Sequence, residues 1–281
     1  MRKTSFPGMG TTIDVWCRDA AGEAAARAVF TQVEGVCSRF LPNSELSLIN
    51  RGSQVRHRLS PLLAEVIRAA DVARSLTGGL VDIGVGSAVT AWGYDRSFAE
   101  VSDRATLPAP QAQPGWTLQG GFLQVAAGTK LDLGGIAKGW SCDRSVEGGI
   151  CVVASAGGDM RSAHPDTTVT VLDPWGSVAA HVRLGLGALA TSSVTRRRWK
   201  VGGREASHLM DPRTMTPVET PILSATVVAG TAVEAEAAAK AVVLLGADGL
   251  AWADEQSWIR GALTVWHDRS VFATSGLELA A

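Results

Sequence analysis

The chain has 281 residues, with 26 lysines and arginines against 27 acidic side chains, a net charge of −1 and a pI near 6.5. That balance excludes the broad basic footprint that nucleic acid or an anionic membrane would require. The length allows one large domain or two small ones and is ample for a buried core.

In chain order, Met9-Gly10-Thr11-Thr12 leads into residues 13–16, whose alternation of apolar and polar side chains predicts a strand. Residues 20–36 carry Ala24, Ala28, Val29, Val33 and Val36 at helical spacing. A polar turn at Pro42-Asn43-Ser44 follows, with a turn-like segment ending at Asn50. Ser60-Pro61 reads as a helix start, Ser60 capping and Pro61 at the first helical position. Leu62, Leu63, Val66, Ile67, Ala70 and Ala73 make its buried stripe, and Gly78-Gly79 ends it. Asp82 then stands inside GGLVDIGVGSAVTAWGYD, an apolar, glycine-punctuated segment. A carboxylate there accepts hydrogen bonds, from a turn or from a ligand. Residues 100–116, with Pro108, Pro110 and Pro114, read as a long exposed loop.

Residues 122–125 and 130–133 predict a hairpin around Ala127-Gly128. The second of these opens KLDLGGIAKGWSCD, where Gly134 and Gly135 break a strand and a helix begins. Such a helix start leaves backbone N–H groups without intrahelical partners and suits an anion, to which Lys138 adds a mobile positive charge. Strands follow at residues 150–154, 168–172 and 178–184, the last two joined through Asp173-Pro174-Trp175-Gly176. The run Arg196-Arg197-Arg198 reads as a solvated face. The stretch SHLMDPRTMTP places His208, Asp211 and Arg213 close together on a loop stiffened by Pro212 and Pro217. A strand at residues 224–228, a helix at 233–245 stopped by Gly246, and a hairpin from 263–267 to 271–274 complete the pass. Cys17, Cys37, Cys142 and Cys151 show neither CxxC nor zinc-type spacing and read as free thiols of a reducing compartment. The start MRKTSFPGMGTTIDVWC has no apolar core of a signal peptide, and no uncharged apolar run reaches about 18 residues. The expectation is a soluble cytoplasmic protein with no membrane span.

Taken in order, MGT, the S-x-F-x-P-N-S-E-L-S-x-I-N stretch, GGLVDIGVGSAVTAWGYD, DLGGIAKGWSCD, GGD, ATSS and HLMDPRT, followed by an apolar helix, resemble the ApbE family over nearly the whole chain. The resemblance implies an α+β fold similar to the T-fold, taken here as one domain over residues 1–281 with a smaller subdomain. It implies an FAD:protein FMN transferase that moves FMN from FAD to a threonine or serine of an acceptor flavoprotein, some members hydrolysing FAD instead. By the same resemblance Met9 and Phe40 line the flavin pocket, and Leu80, Val81 and Asp82 contact FAD. Asp132, Lys138 and Leu209 match further FAD contacts, the Gly135 carbonyl matches a magnesium ligand, and His208 matches the proton acceptor. FAD is implied to bind between the main body and the subdomain.

One motif departs from that pattern. Where the family carries Asp-Ala-x-x-Thr as metal ligands, this chain has Glu236 and Lys240, four residues apart on one helix face. An ammonium cannot ligate a cation while charged. Met215 and Ser193 also stand where the family has glycine. Three readings of Glu236 and Lys240 are open. They form a surface ion pair, or Lys240 reaches the diphosphate and replaces part of the metal's charge, or the site has lost activity and only binds flavin. The functional expectations are accordingly FMN transfer, with FAD hydrolysis as its variant, or a non-catalytic flavin-binding protein.

Overall fold

Ile13, Val15 and Cys17 put three apolar side chains on one face of the strand Thr11–Cys17, and that face is buried. It pairs with Arg2–Gly8 across Met9-Gly10, a tight turn with positive φ at both residues. These two strands begin an antiparallel sheet of eight, which the computed structural model describes together with the rest of residues 1–52 and 55–280. Its order continues Val153–Ala156, Asp159–Ser162, Gly187–Ser193, Ile222–Ala229, Ile259–Trp266 and Val271–Ala273. Seven helices accompany the strands among the described residues: α1 (Ala20–Cys37), α2 (Glu45–Arg51), α3 (Pro61–Leu76), α4 (Gly86–Ala91), α5 (Ala137–Glu147), α6 (Ala232–Leu245) and α7 (Gly249–Glu255). The architecture is α+β.

The chain divides into two compact units, the first being Met1–Gln32, Lys138–Thr195 and Thr220–Ala281, the second Val33–Ala137 and Arg196–Glu219. The first unit holds the eight-stranded sheet. One sheet face presents Ala188, Ala190 and Ala229, which share a core with Phe30 of α1, Cys142 and Val146 of α5 and Ala232 and Ala235 of α6. Leu189 and Val228, alternate residues on the same strands, bury the other face together with Leu263 and Val265 of the neighbouring strand and Val171 and Val182 of the hairpin Thr168–Leu172 and Val178–Arg183. Period-two alternation thus covers both faces. Small side chains on the first face let α6 lie close to the sheet.

In the second unit one core packs Ala88, Val89, Trp92 and Tyr94 with Trp199, Val201, Met210 and Met215. Beside it, α3 starts as expected, with Ser60 Oγ accepting from the Leu63 N–H and Pro61 opening the helix. A three-stranded sheet runs Arg56–Arg58, Phe122–Val125, Trp116–Gln119.

Three expectations change. Residues 130–133 do not pair with Phe122–Val125, whose partner across Gly120-Gly121 is Trp116–Gln119. Lys130 instead forms a parallel bridge to Val85. The alternation of Leu131 and Leu133 reflects burial of both leucines along an irregular segment rather than a ladder. The turn-like segment before Asn50 is the helix α2, capped by Ser44 Oγ on the Ser47 N–H. The strand expected at 150–154 begins at Val153 and returns through Gly157-Gly158 into Asp159–Ser162.

Candidate functional site

In the first unit, α5 fixes the start of α6. Gly139 makes this approach close: a Cβ there would lie 3.0 Å from the Ala232 carbonyl carbon and oxygen. Further along α5, Asp143 receives the Ala232 N–H at 2.8 Å and the Val233 N–H at 3.1 Å, two donors that the start of a helix leaves unpaired. Thr231 and Glu234 add a capping box. Burial pushes the Asp143 carboxyl up to about 6, against the pull of those two N–H groups and of Arg161 at 3.7 Å.

That packing brings four charges together. Lys138 Nζ lies 3.3 Å from Asp159 Oδ2 and 3.4 Å from Glu236 Oε1, while Lys240 Nζ lies 2.9 Å from the same Glu236 oxygen. Asp159 and Glu236 are 2% and 5% exposed. Lys138 is therefore held between two carboxylates and is not a mobile charge. The Glu236–Lys240 pair forms as the spacing suggests, but inside the protein rather than on its surface. Burial and the neighbouring Glu236 charge raise the Asp159 carboxyl, whereas for Glu236 the opposing burial is overcome by the two ammonium groups, which lower it. Asp159 thus keeps its proton the longer of the two. Met9, half-buried at the sheet's first turn, accepts a 3.9 Å contact at Sδ from Ser141 Oγ of α5.

In the second unit, Asp82 and Asp132 each head a D-x-G turn. Asp82 Oδ1 accepts the Gly84 N–H at 2.7 Å and Asp132 Oδ1 the Gly134 N–H at 2.8 Å. The Asp132 N–H donates to the Ile83 carbonyl at 2.7 Å, which sets the two turns side by side. Trp116 Nε1 also donates to Asp82 at 2.7 Å, and the Arg74 guanidinium stacks on that indole at 3.9 Å. Arg39 Nε meets Asp132 Oδ2 at 2.8 Å, its guanidinium lying 4.1 Å from the Phe40 ring centre and 4.5 Å from that of Tyr94. Phe40 is 40% exposed, an aromatic ring presented to solvent beside a half-buried arginine. Leu80 and Val81 are held at the end of α3, both by Thr77, through its carbonyl and its hydroxyl respectively. His208 is half-buried and Leu209 buried, before the Asp211–Arg213 turn in which Arg213 Nη2 meets Asp211 Oδ2 at 2.7 Å. Gly135 lies in the turn before α5.

The ApbE family model matches residues 9–262. The chain belongs to the ApbE family. Relatives named FAD:protein FMN transferase include one from Salmonella typhimurium, 28% identical over 67% of this chain and 60% of that protein. Another, from Rhodobacter capsulatus, is 29% identical over 77% of this chain and 45% of its own length, and one from Vibrio cholerae is 26% identical over 89% and 83%. The chain thus matches about half to three fifths of the first two. Solved structures of the ApbE protein from Thermotoga maritima and the flavin transferase ApbE from Vibrio cholerae each superpose with a TM-score of 0.82 over 98% of this chain and 97% of theirs, at 22% and 23% identity. At that identity the likeness is one of fold.

Asp159 and Arg39, which pair with Lys138 and Asp132, carry little signal in the sequence. Asp159 shows only as the end of GGD, and Arg39 only as a residue beside Phe40. The ApbE pattern also implies magnesium, and the donor set does not fit it. Glu236 Oε1 is contacted by two ammonium groups, those of Lys138 and Lys240. Among the described residues, no group of three or more His, Cys, Asp or Glu could hold a metal ion. An ammonium about 4 Å from a divalent ion, at an effective dielectric near 20, would oppose it by roughly 8 kcal/mol. No helix among the described residues is long and apolar enough to cross a membrane.

Proposed function

We propose that this chain is an FAD:protein FMN transferase, which carries FMN from FAD to a threonine or serine hydroxyl of an acceptor flavoprotein and releases AMP. The observation that carries this reading is the pair of D-x-G turns, which holds Asp82 and Asp132, both FAD contacts by the family pattern, side by side through the Asp132 N–H. Each carboxylate is fixed by a backbone N–H and a second donor, Trp116 or Arg39, so the site is ordered before ligand arrives. Within the same unit Phe40 offers the flavin an aromatic face.

In the reaction, the acceptor oxygen forms a bond to the phosphorus of the FMN half, and the bond from that phosphorus to the bridging oxygen breaks. AMP leaves with the bridging oxygen and its electron pair. His208 takes the hydroxyl proton, the part for which an imidazole suits near neutral pH. Lys138 offers positive charge to the phosphoryl oxygens as charge shifts toward AMP.

A second reading, FAD binding without transfer, draws on Glu236 and Lys240 in place of the metal-ligand pair. Chromatography of FAD incubated with the chain, with and without an acceptor flavoprotein, separates the readings. Transfer gives AMP only with acceptor, in step with protein-bound flavin. Hydrolysis gives AMP and free FMN without acceptor. Binding alone gives no AMP and would refute the proposal.

A further inference from the structure

We infer that this chain handles the FAD diphosphate without a divalent cation, the Lys240 ammonium standing in the cation's place. The inference rests on the FAD reading above and goes beyond it, since the family pattern requires magnesium.

Most residues of α6, from Ala232 to Leu244, are buried. Glu236 and Lys240 interrupt this apolar helix one turn apart, and the lysine side chain is only 15% exposed. A buried ion pair is seldom kept for stability, because apolar residues of similar volume are as stable or more so. Charges retained in such a place mark a task that needs charge. Lys240 is also not a lysine that happens to fold back. Its ammonium lies 2.9 Å from Glu236 Oε1, and Lys138 approaches the same oxygen from α5 at 3.4 Å. The close approach at Gly139 and the Asp143 contacts to the α6 N-terminus fix the two helices against each other, so both ammonium groups are positioned before any ligand binds.

The cluster therefore has the form of a metal site in which the ion has been replaced by covalently attached charge. The Glu236 carboxylate, which stands where the family has a metal ligand, instead faces two lysines. A tethered ammonium donates up to three hydrogen bonds and needs no dehydration of a bound ion. It delivers one unit of charge rather than two, and Lys138 supplies a second.

Calorimetric titration of FAD tests this, in EDTA and in millimolar magnesium, on the wild type, Lys240→Thr and Lys240→Met, with direct titration of manganese as a readout independent of FAD. Wild type should bind FAD equally in the two buffers. Lys240→Thr should lose about tenfold in EDTA, some 1.4 kcal/mol, recover in magnesium, and bind manganese where wild type does not. Lys240→Met should lose affinity in EDTA without recovery, and it carries the EDTA arm if the threonine variant fails to fold. Wild-type affinity that rises about tenfold with magnesium, or lysine variants that bind FAD in EDTA as wild type does, would overturn the inference while leaving the FAD reading intact. A wild type that binds no FAD in either buffer would overturn the FAD reading itself.

Discussion

Lys240 Nζ and Glu236 Oε1 lie 2.9 Å apart, one helical turn along α6, in a segment whose neighbours are buried alanines and valines. Glu236 holds two ammonium groups at once. Replacing it by the neutral Glu236→Gln leaves those charges without their shared counter-ion, and we expect a loss of about 3–5 kcal/mol in urea unfolding. The double variant Glu236→Leu, Lys240→Met should lose clearly less than the single one, because it removes both members of the pair. Equal losses would show that the pair contributes shape and no electrostatic balance.

Asp143 gives a pH signature. Its folded carboxyl sits near 6, above the ordinary value of 3.8, because burial outweighs the Ala232 and Val233 N–H groups and Arg161 at 3.7 Å, with Glu147 adding a like charge. A folded value above the unfolded one means that its stabilising contribution is full below 3.8 and is lost as pH rises through 6. Asp143→Asn, with one oxygen for two N–H donors, should be less stable than wild type near pH 4. The gap should close by up to about 3 kcal/mol by pH 7. Unfolding midpoints of the two proteins across this range check it, and a constant gap contradicts it.

Met215 adopts φ of 58° and is 1% exposed, in the core with Trp199, Val201 and Met210. Any side chain is strained in that conformation, by about 1–2 kcal/mol. Met215→Ala keeps the strain and empties the core, at a cost of about 2–5 kcal/mol. Met215→Gly empties it slightly more but relieves the strain. The glycine variant should therefore be the more stable of the two by about 1 kcal/mol in denaturant titration. The reverse order would mean that the cavity decides alone.

Arg39 joins Asp132 Oδ2 through Nε and the Tyr94 carbonyl through Nη1 at 2.6 Å. A lysine cannot reproduce that planar fork. Arg39→Lys should loosen Asp132 and weaken FAD binding about tenfold, read by quenching of flavin fluorescence, while Arg68→Lys on the exposed face of α3 leaves it unchanged. Unaltered binding in Arg39→Lys would show that Asp132 is held well enough by its own turn.

What the sequence made legible was local. The Ser60-Pro61 start of α3, the apolar run of α6 and the Asp173–Gly176 turn all depend on neighbours within a few residues, and each appears where it was expected. Relations between distant segments were hidden. Nothing near Asp132 announces Arg39, and nothing near Lys138 announces Asp159. The strand expected at residues 130–133 failed for the same reason: its alternation was real, but its backbone bonds to residues 83 and 85 and not to a hairpin partner. The spacing of Glu236 and Lys240 gave their contact, while their burial came from the sheet and α5, which no local pattern records.

His208 is proposed as the base, so its loss should act on the transition state. His208→Ala should lower transfer by about a hundredfold or more while FAD affinity stays within about threefold. Wild-type transfer by the variant would remove His208 from the reaction.

The most direct measurement is mass spectrometry of an acceptor flavoprotein incubated with this chain and FAD, with AMP quantified in the same mixture. The proposed transfer predicts a mass gain of one FMN on a single threonine or serine, matched one to one by AMP. An acceptor of unchanged mass, with FAD bound to the chain and recovered intact, would contradict it.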